Sequence, residues 1–175
     1  MSSNDTFNKL ITVLAVSGSA YLAGFTSSIT FLTVPILPLS GPRLATRQWA
    51  GVYDRGSRLG PPMGLVFLSL FAYAAWANGV LERSPKGVTL AVAGLCAAAN
   101  MPWILMAMLP TNSELLALAA EPEPKEGGRV GEKDEKRKRE EVDRLISKWG
   151  WLNAVRSVGL TLGALIGGAA AVELL

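Results

Sequence analysis

Histidine is absent from this chain of 175 residues. That removes the commonest ligand for zinc, copper and non-haem iron, and the commonest proximal ligand for haem. It also removes the usual general base near neutral pH, so any chemistry must run without imidazole. Cysteine occurs once, at Cys96, which excludes an intramolecular disulfide. Charge is scarce too: 18% of residues are Asp, Glu, Lys or Arg, where a soluble domain carries about 25%. The net charge of +3 is small and the basic residues are matched locally by acids, so no nucleic-acid partner is expected. No acidic residue falls deep inside an apolar run. A proton-coupled carrier would need one, which weighs against a transporter.

What the chain has instead is apolar sequence, half of it hydrophobic and gathered in runs. Four runs reach the roughly 20 residues that a bilayer crossing needs. They cover about 10–32, 62–81, 88–109 and 152–174. The first lacks a strongly basic leader and outlasts a signal-peptide core, so it is expected to stay as a membrane helix. The expected fold is all-α: one membrane domain over 1–175, a four-helix bundle in the lipid bilayer. Pro61 and Pro62 suit the first turn of the second span. Between spans one and two, "GPRLATRQWAGVYDRGSRLG" predicts a short amphipathic helix with Trp49 and Tyr53 one turn apart. Spans two and three are joined by the tight turn "ERSPKG". Spans three and four are joined by a long charged loop whose insert, about 121–140, reads as solvated and flexible, turning helical toward "REEVDRLISKWG".

Lys and Arg concentrate in the two long loops, with only Lys9, Arg83 and Lys86 on the other side. Positive charge marks the cytosolic side, so both termini are expected opposite the cytosol. This topology brings scattered polar and aromatic residues to one depth. They are Asn100 and Trp103 in span three, Thr111 and Asn112 at its exit, Trp149, Asn153 and Arg156 at the start of span four, and Trp49, Tyr53 and Asp54 between spans. Thr26, Ser27, Ser28, Thr30 and Thr33 join them from span one. Trp149, Asn153, Arg156 and Leu160 are spaced to share one helical face. Gly159, Gly163 and Gly167, like Ala20, Gly24 and Ser28, form small-residue faces that allow close helix approach, within one chain or between chains of an oligomer.

Plainer readings stand beside these. Arg156 can snorkel to the headgroups. The Trp and Tyr residues can form an interfacial belt, the favoured reading for Trp151. Asn100 and Asn153 can bond between helices. Thr111 or Asn112 can cap a short helix "SELLALAA".

Three segments, "QWAGVYDRG", "NMPWILMAMLPTNSELL" and "WGWLNAVRSVGLTLGALIG", resemble in this order the anthrone oxygenase-like family of small four-helix membrane proteins. These are common in fungal polyketide gene clusters and also occur in bacteria. The likeness covers nearly the whole chain apart from the first residues and the charged insert. It implies oxidation of an anthrone to an anthraquinone by molecular oxygen, with no metal or flavin cofactor. It implies a small apolar aromatic polyketide as substrate and, for a fungal source, the endoplasmic reticulum. Many members carry a threonine soon after the third-span proline, where this chain has Trp103 and Ile104, so the pocket and its substrate are expected to differ there.

Within that resemblance the residues take expected roles. Arg156, Asn100, Asn112 and Asn153 would stabilise the substrate enolate. Trp49, Tyr53, Trp103 and Trp149, with Thr111, would wall a planar ring system. Asp54 is the first candidate base and Glu114 the second, with a bound water or the substrate's own phenolate as alternatives. A competing expectation is a non-catalytic membrane scaffold or accessory protein of a biosynthetic pathway.

Overall fold

A computed structural model describes residues 3–122 and 131–172. The chain rises and falls four times along long helices, and each is apolar enough over part of its length to cross a membrane. The first covers Asn4–Leu39, the second Pro42–Ala77, the third Pro85–Ala119 and the fourth Glu132–Ala171. They are 35 to 40 residues long, hence roughly 50–60 Å at 1.5 Å per residue. The hydrocarbon of a bilayer is only about 30 Å thick. Every helix therefore continues well beyond its apolar span.

Only the second and fourth are regular throughout. The first is α1 (Ser3–Ser28), a π-helical turn (Ile29–Thr33) and a 3-10 run (Val34–Leu39). The second is α2 (Pro42–Ala77). The third is α3 (Pro85–Ala98), α4 (Asn100–Trp103), a second π-helical turn (Ile104–Met108) and α5 (Leu109–Ala119). The fourth is α6 (Glu132–Ala171). The π turns close on the N–H groups of Val34 and Leu109, which donate to Ile29 and Ile104, five residues back. Each closing residue directly precedes a proline, Pro35 or Pro110. A proline has no N–H and its ring crowds the carbonyl four residues earlier, so the preceding turn widens. Pro102 follows the break at Ala99 by three residues.

Three expectations are corrected. No separate short helix lies between spans one and two: residues 42–77 are one helix, and Pro61 and Pro62 sit inside it. The prolines remove two N–H donors there without stopping the chain, and only Ser40 and Gly41 connect it to the first helix. The charged stretch from Glu132 is helix continuous with the fourth span. Glu132, Asp134 and Glu135 fall in its first turn, where the helix dipole favours acids. Lys138 pairs with Glu121 at the end of the third helix. The remainder of the expected flexible insert, 123–130, lies outside the described residues. Thr111 and Asn112 are not caps but buried positions inside α5.

The helices form a ring in which α1 and α3 each pack on both α2 and α6. At the end near the 78–84 turn, the core is Ala15, Phe71, Ala74, Leu90, Ala93 and Ala170. The glycine face of α6 is used here, inside the bundle. A Cβ at Gly163 would meet the Ala93 carbonyl oxygen at 2.8 Å, and one at Gly167 would meet the Phe71 ring at 2.7 Å. On α1 the close approach falls at Gly18, against Phe67, whereas Ala20, Gly24 and Ser28 face outward. The other end holds a larger core of Leu37, Trp49, Met108, Leu115, Leu145, Ile146 and Trp149. The outer flanks carry Phe31, Leu32, Leu95 and Leu165, each more than two-thirds exposed or nearly so. An apolar exterior around a packed interior is the build of a multi-pass membrane protein.

Candidate functional site

Between these two cores lies a cavity of about 250 Å³. It sits where the helices are least regular. Its wall includes Ile29 from the first π turn and Gly60 and Pro61 from α2. The third helix adds Asn100 and Met101 beyond the Ala99 break, and Ile104, Leu105 and Met108 from the second π turn. The back wall is the α6 face that carries Trp149, Asn153 and Arg156. Bundles of regular helices close on their own side chains, and here the displaced turns hold the walls apart.

Arg156 lies on this cavity and not at the outer surface. A Cβ on Gly60 would stand 3.7 Å from its Nη2, in ordinary contact, so the guanidinium lies against α2 at this glycine. Its Nε is buried without a hydrogen-bond partner, and no carboxylate pairs with it among the described residues. Asn100 has its Oδ1 buried and unpartnered on the same cavity. Leaving such groups unpaired costs about 1–3 kcal/mol each, more when charged. The cavity thus presents a free cation and a free amide to whatever occupies it.

The other two asparagines are partly engaged. The Trp149 Nε1–H donates to Asn112 Oδ1 at 2.9 Å. Asn153 Nδ2 donates to the Thr26 carbonyl oxygen at 2.9 Å and to Thr30 Oγ1 at 2.8 Å, and the Ser157 hydroxyl donates to Thr26 Oγ1 at 3.1 Å. These bonds clasp α6 to α1, as the plainer reading of Asn153 expects. Trp49 stacks on Tyr53, with ring centroids 5.1 Å apart, and meets Trp149 edge-on at 5.6 Å. Tyr53 and Trp149 line the cavity, whereas Trp49 is fully buried behind them.

Of the ten expected site residues, six reach the cavity: Arg156, Asn100, Asn112, Asn153, Tyr53 and Trp149. Trp49 and Thr111 are buried in the layer behind, each with an unpartnered polar atom. Trp103 packs against the same core and donates its Nε1–H to the Leu152 carbonyl oxygen at 3.0 Å. Asp54 is not on the cavity. It is exposed on the outer side of α2 and pairs with Arg58 at 2.8 Å. Glu114 is exposed as well. Among the described residues no carboxylate lines the cavity, and no three of His, Cys, Asp and Glu gather as metal ligands.

Sequence reasoning missed Gly56, Gly60 and Pro61. A Cβ at Gly56 would meet nothing within 4 Å, so that position opens directly onto free volume. Trp49, Tyr53, Gly56 and Gly60 follow helical spacing, a signal readable only once 42–77 is taken as one helix. A larger concavity, about 780 Å³, lies on the outer flank of α1 and α6 beside Phe31, Trp151 and Leu162. Those side chains are exposed and none of its polar lining is both buried and unpartnered, which fits a lipid-facing groove.

The anthrone oxygenase family model matches residues 49–166, which include every residue placed on the cavity except Ile29. The chain is 31% identical to an anthrone oxygenase of Claviceps purpurea, over 89% of this chain and 84% of that one. It is 32% identical to a noranthrone monooxygenase of Aspergillus flavus, over 88% of this chain and 70% of the relative. An anthrone oxygenase of Aspergillus fumigatus matches at 28% identity over 90% of both chains. No solved structure matches.

Proposed function

The chain belongs to the anthrone oxygenase family, and from that membership we propose that it oxidises an anthrone-type aromatic polyketide to the anthraquinone with molecular oxygen. The central methylene of the substrate and one O2 become a ketone and one water. The substrate is electron-rich enough to supply the electrons itself. Loss of one proton gives an enolate delocalised over three rings. One electron passes from it to O2, and the substrate radical and superoxide then join through a new C–O bond. Protonation gives a hydroperoxide. Loss of the remaining C–H proton and cleavage of the O–O bond release water and leave the quinone. No metal or flavin is required, and the chain has no histidine to offer one.

The observation that carries this reading is the unpaired cation on a largely apolar cavity. Arg156 would hold the enolate oxygen, and its charge would favour the anion over the neutral substrate. The same charge lies beside the place where superoxide would form. Asn100 and Asn112 supply amide groups, and Tyr53 and Trp149 the ring-stacking wall. Asn153 acts by fixing α6 on α1, which sets where Arg156 points. With no carboxylate on the cavity, the acid is the substrate's enol tautomer, a phenol-type O–H. That proton leaves through the substrate's own hydroxyl groups or through water. The cavity's 250 Å³ lies just below the usual range of small-molecule sites, roughly 300–1,000 Å³, and leaves a flat three-ring compound little to spare.

The test is oxygen uptake by the protein in nanodiscs supplied with emodin anthrone and a chelator, after subtraction of spontaneous oxidation. Acceleration is expected to survive the chelator and to be lost in Arg156→Gln, which keeps a polar side chain but removes the charge. Undiminished turnover in a folded Arg156→Gln protein would remove the cation from the mechanism.

A further inference from the structure

The cavity is closed on three sides by groups already described. Toward the charged end it is sealed by Trp49, Met108 and Leu115, all buried. Toward the other end stand Leu22 and Leu160 with Phe67 packed on them. On the α1–α6 side the Asn153 and Ser157 bonds zip the two helices together. The fourth side is different. Helix α2 packs on α3 and, farther along, on α5, but makes at most marginal contact with α4 and the π turn between them. Both edges of that gap line the cavity, through Gly56, Ser57 and Gly60 on one side and Met101, Leu105 and Leu109 on the other. The rims reach the outside, because Ser57 is exposed and Leu105 and Leu109 are 57% and 47% exposed.

We propose that substrate enters the cavity sideways from the bilayer through this slot, and that Ser57 and Leu105 on its rims select the ring systems that pass. The surface outside the slot is apolar: Leu59, Leu65 and Met106 are all exposed there. The Arg58–Asp54 ion pair stands within a turn of Ser57. The slot therefore opens where the charged part of α2 gives way to its apolar part. Amphipathic aromatics settle at that depth, with rings among the acyl chains and hydroxyls among the headgroups. A flat polyphenol resting there faces the gap edge-on. The sequence produces the gap locally. Pro102 and Pro110 displace the third helix, and the glycines at 56 and 60 leave the facing stretch of α2 without side chains.

Ser57 and Leu105 lie on the wall of the cavity as well as on its rim, so passage through the slot is read by the association rate rather than by Kd. This gives a test that depends on the proposed function only through the ligand. Binding of emodin, an anthraquinone product, is followed by stopped-flow absorbance in nanodiscs. Ser57→Phe and Leu105→Phe are expected to slow association by about tenfold. Leu162→Phe on the outer flank of α6 is the control and should leave association unchanged. These positions are exposed, so the variants require no repacking, and thermal unfolding checks that they fold. Unchanged rates in both rim variants, or a shifted Kd with unchanged association, would overturn the lateral route while leaving the oxidation in place. A wild-type protein that neither oxidises an anthrone nor binds the quinone would take the function and the route down together.

Discussion

Gly56→Leu separates the stability of this bundle from its chemistry. A Cβ at Gly56 has no neighbour within 4 Å, and the residue lines the cavity. A side chain there starts in open space beside the cavity. Replacing glycine in a helix interior gains about 0.5–1 kcal/mol. Burying four added carbons contributes at most about 3 kcal/mol more, at roughly 0.8 kcal/mol per methylene. The sum has one sign, so the variant is expected to unfold at an equal or higher temperature than the parent.

Activity should move the opposite way. The cavity measures about 250 Å³, and an isobutyl group takes a large share of it. A rigid ring system cannot fold around the obstruction, and a displacement of 1 Å from productive geometry costs on the order of 10²-fold. Oxygen uptake with emodin anthrone is therefore expected to fall by at least about 10²-fold, in a protein that heating shows to be no weaker. Gly56→Ala, which adds one carbon, should keep most of the activity. A stable Gly56→Leu protein with wild-type turnover would show that substrate does not occupy this volume.

Trp149→Phe keeps an aromatic ring against Trp49 but leaves the buried Asn112 Oδ1 without its donor; thermal unfolding should show a loss of about 1–3 kcal/mol. Asp54→Asn removes an exposed partner of Arg58; turnover should match wild type, and stability should change by about 0–1 kcal/mol, whereas a large fall in kcat would restore Asp54 as the base. Met101→Glu puts a carboxylate on the cavity that Arg156 also lines. It should abolish anthrone oxidation in a protein at least as heat-stable as Met101→Gln, and retained turnover would show that the free charge of Arg156 is dispensable.

The four crossings were legible because apolar runs of bilayer length have few other uses. Their continuation was not. Pro61 and Pro62 are ordinary signs of a helix start, and nothing local to them says that Trp49 and Tyr53 belong to the same helix as Phe71. Helices on either side of a proline pair stay in line when neighbouring helices hold them, which is a property of the bundle. The run from Glu132 reads as solvated because it is charged, yet Lys and Glu are good helix formers and a packed helix follows directly. The site shows the same division. One face of α6 was readable from spacing alone, since Trp149, Asn153 and Arg156 lie on one regular helix. Asp54 was misplaced although the signal was present: neighbours in a helix point about 100° apart, so an inward Tyr53 turns Asp54 away.

A cation inside a membrane protein is usually matched by an acid, and among the described residues Arg156 has no such match. A fixed carboxylate would hold Arg156 securely, but it would also cancel the field the guanidinium casts into the cavity. A substrate anion would then have to displace that partner before gaining anything from the charge. The guanidinium instead stands beside α2 at Gly60, with its Nε buried and unpartnered. The irregular backbone at this level opens the volume, and under the proposed mechanism an unmatched charge in that volume would stay available for an anion that exists only during the reaction.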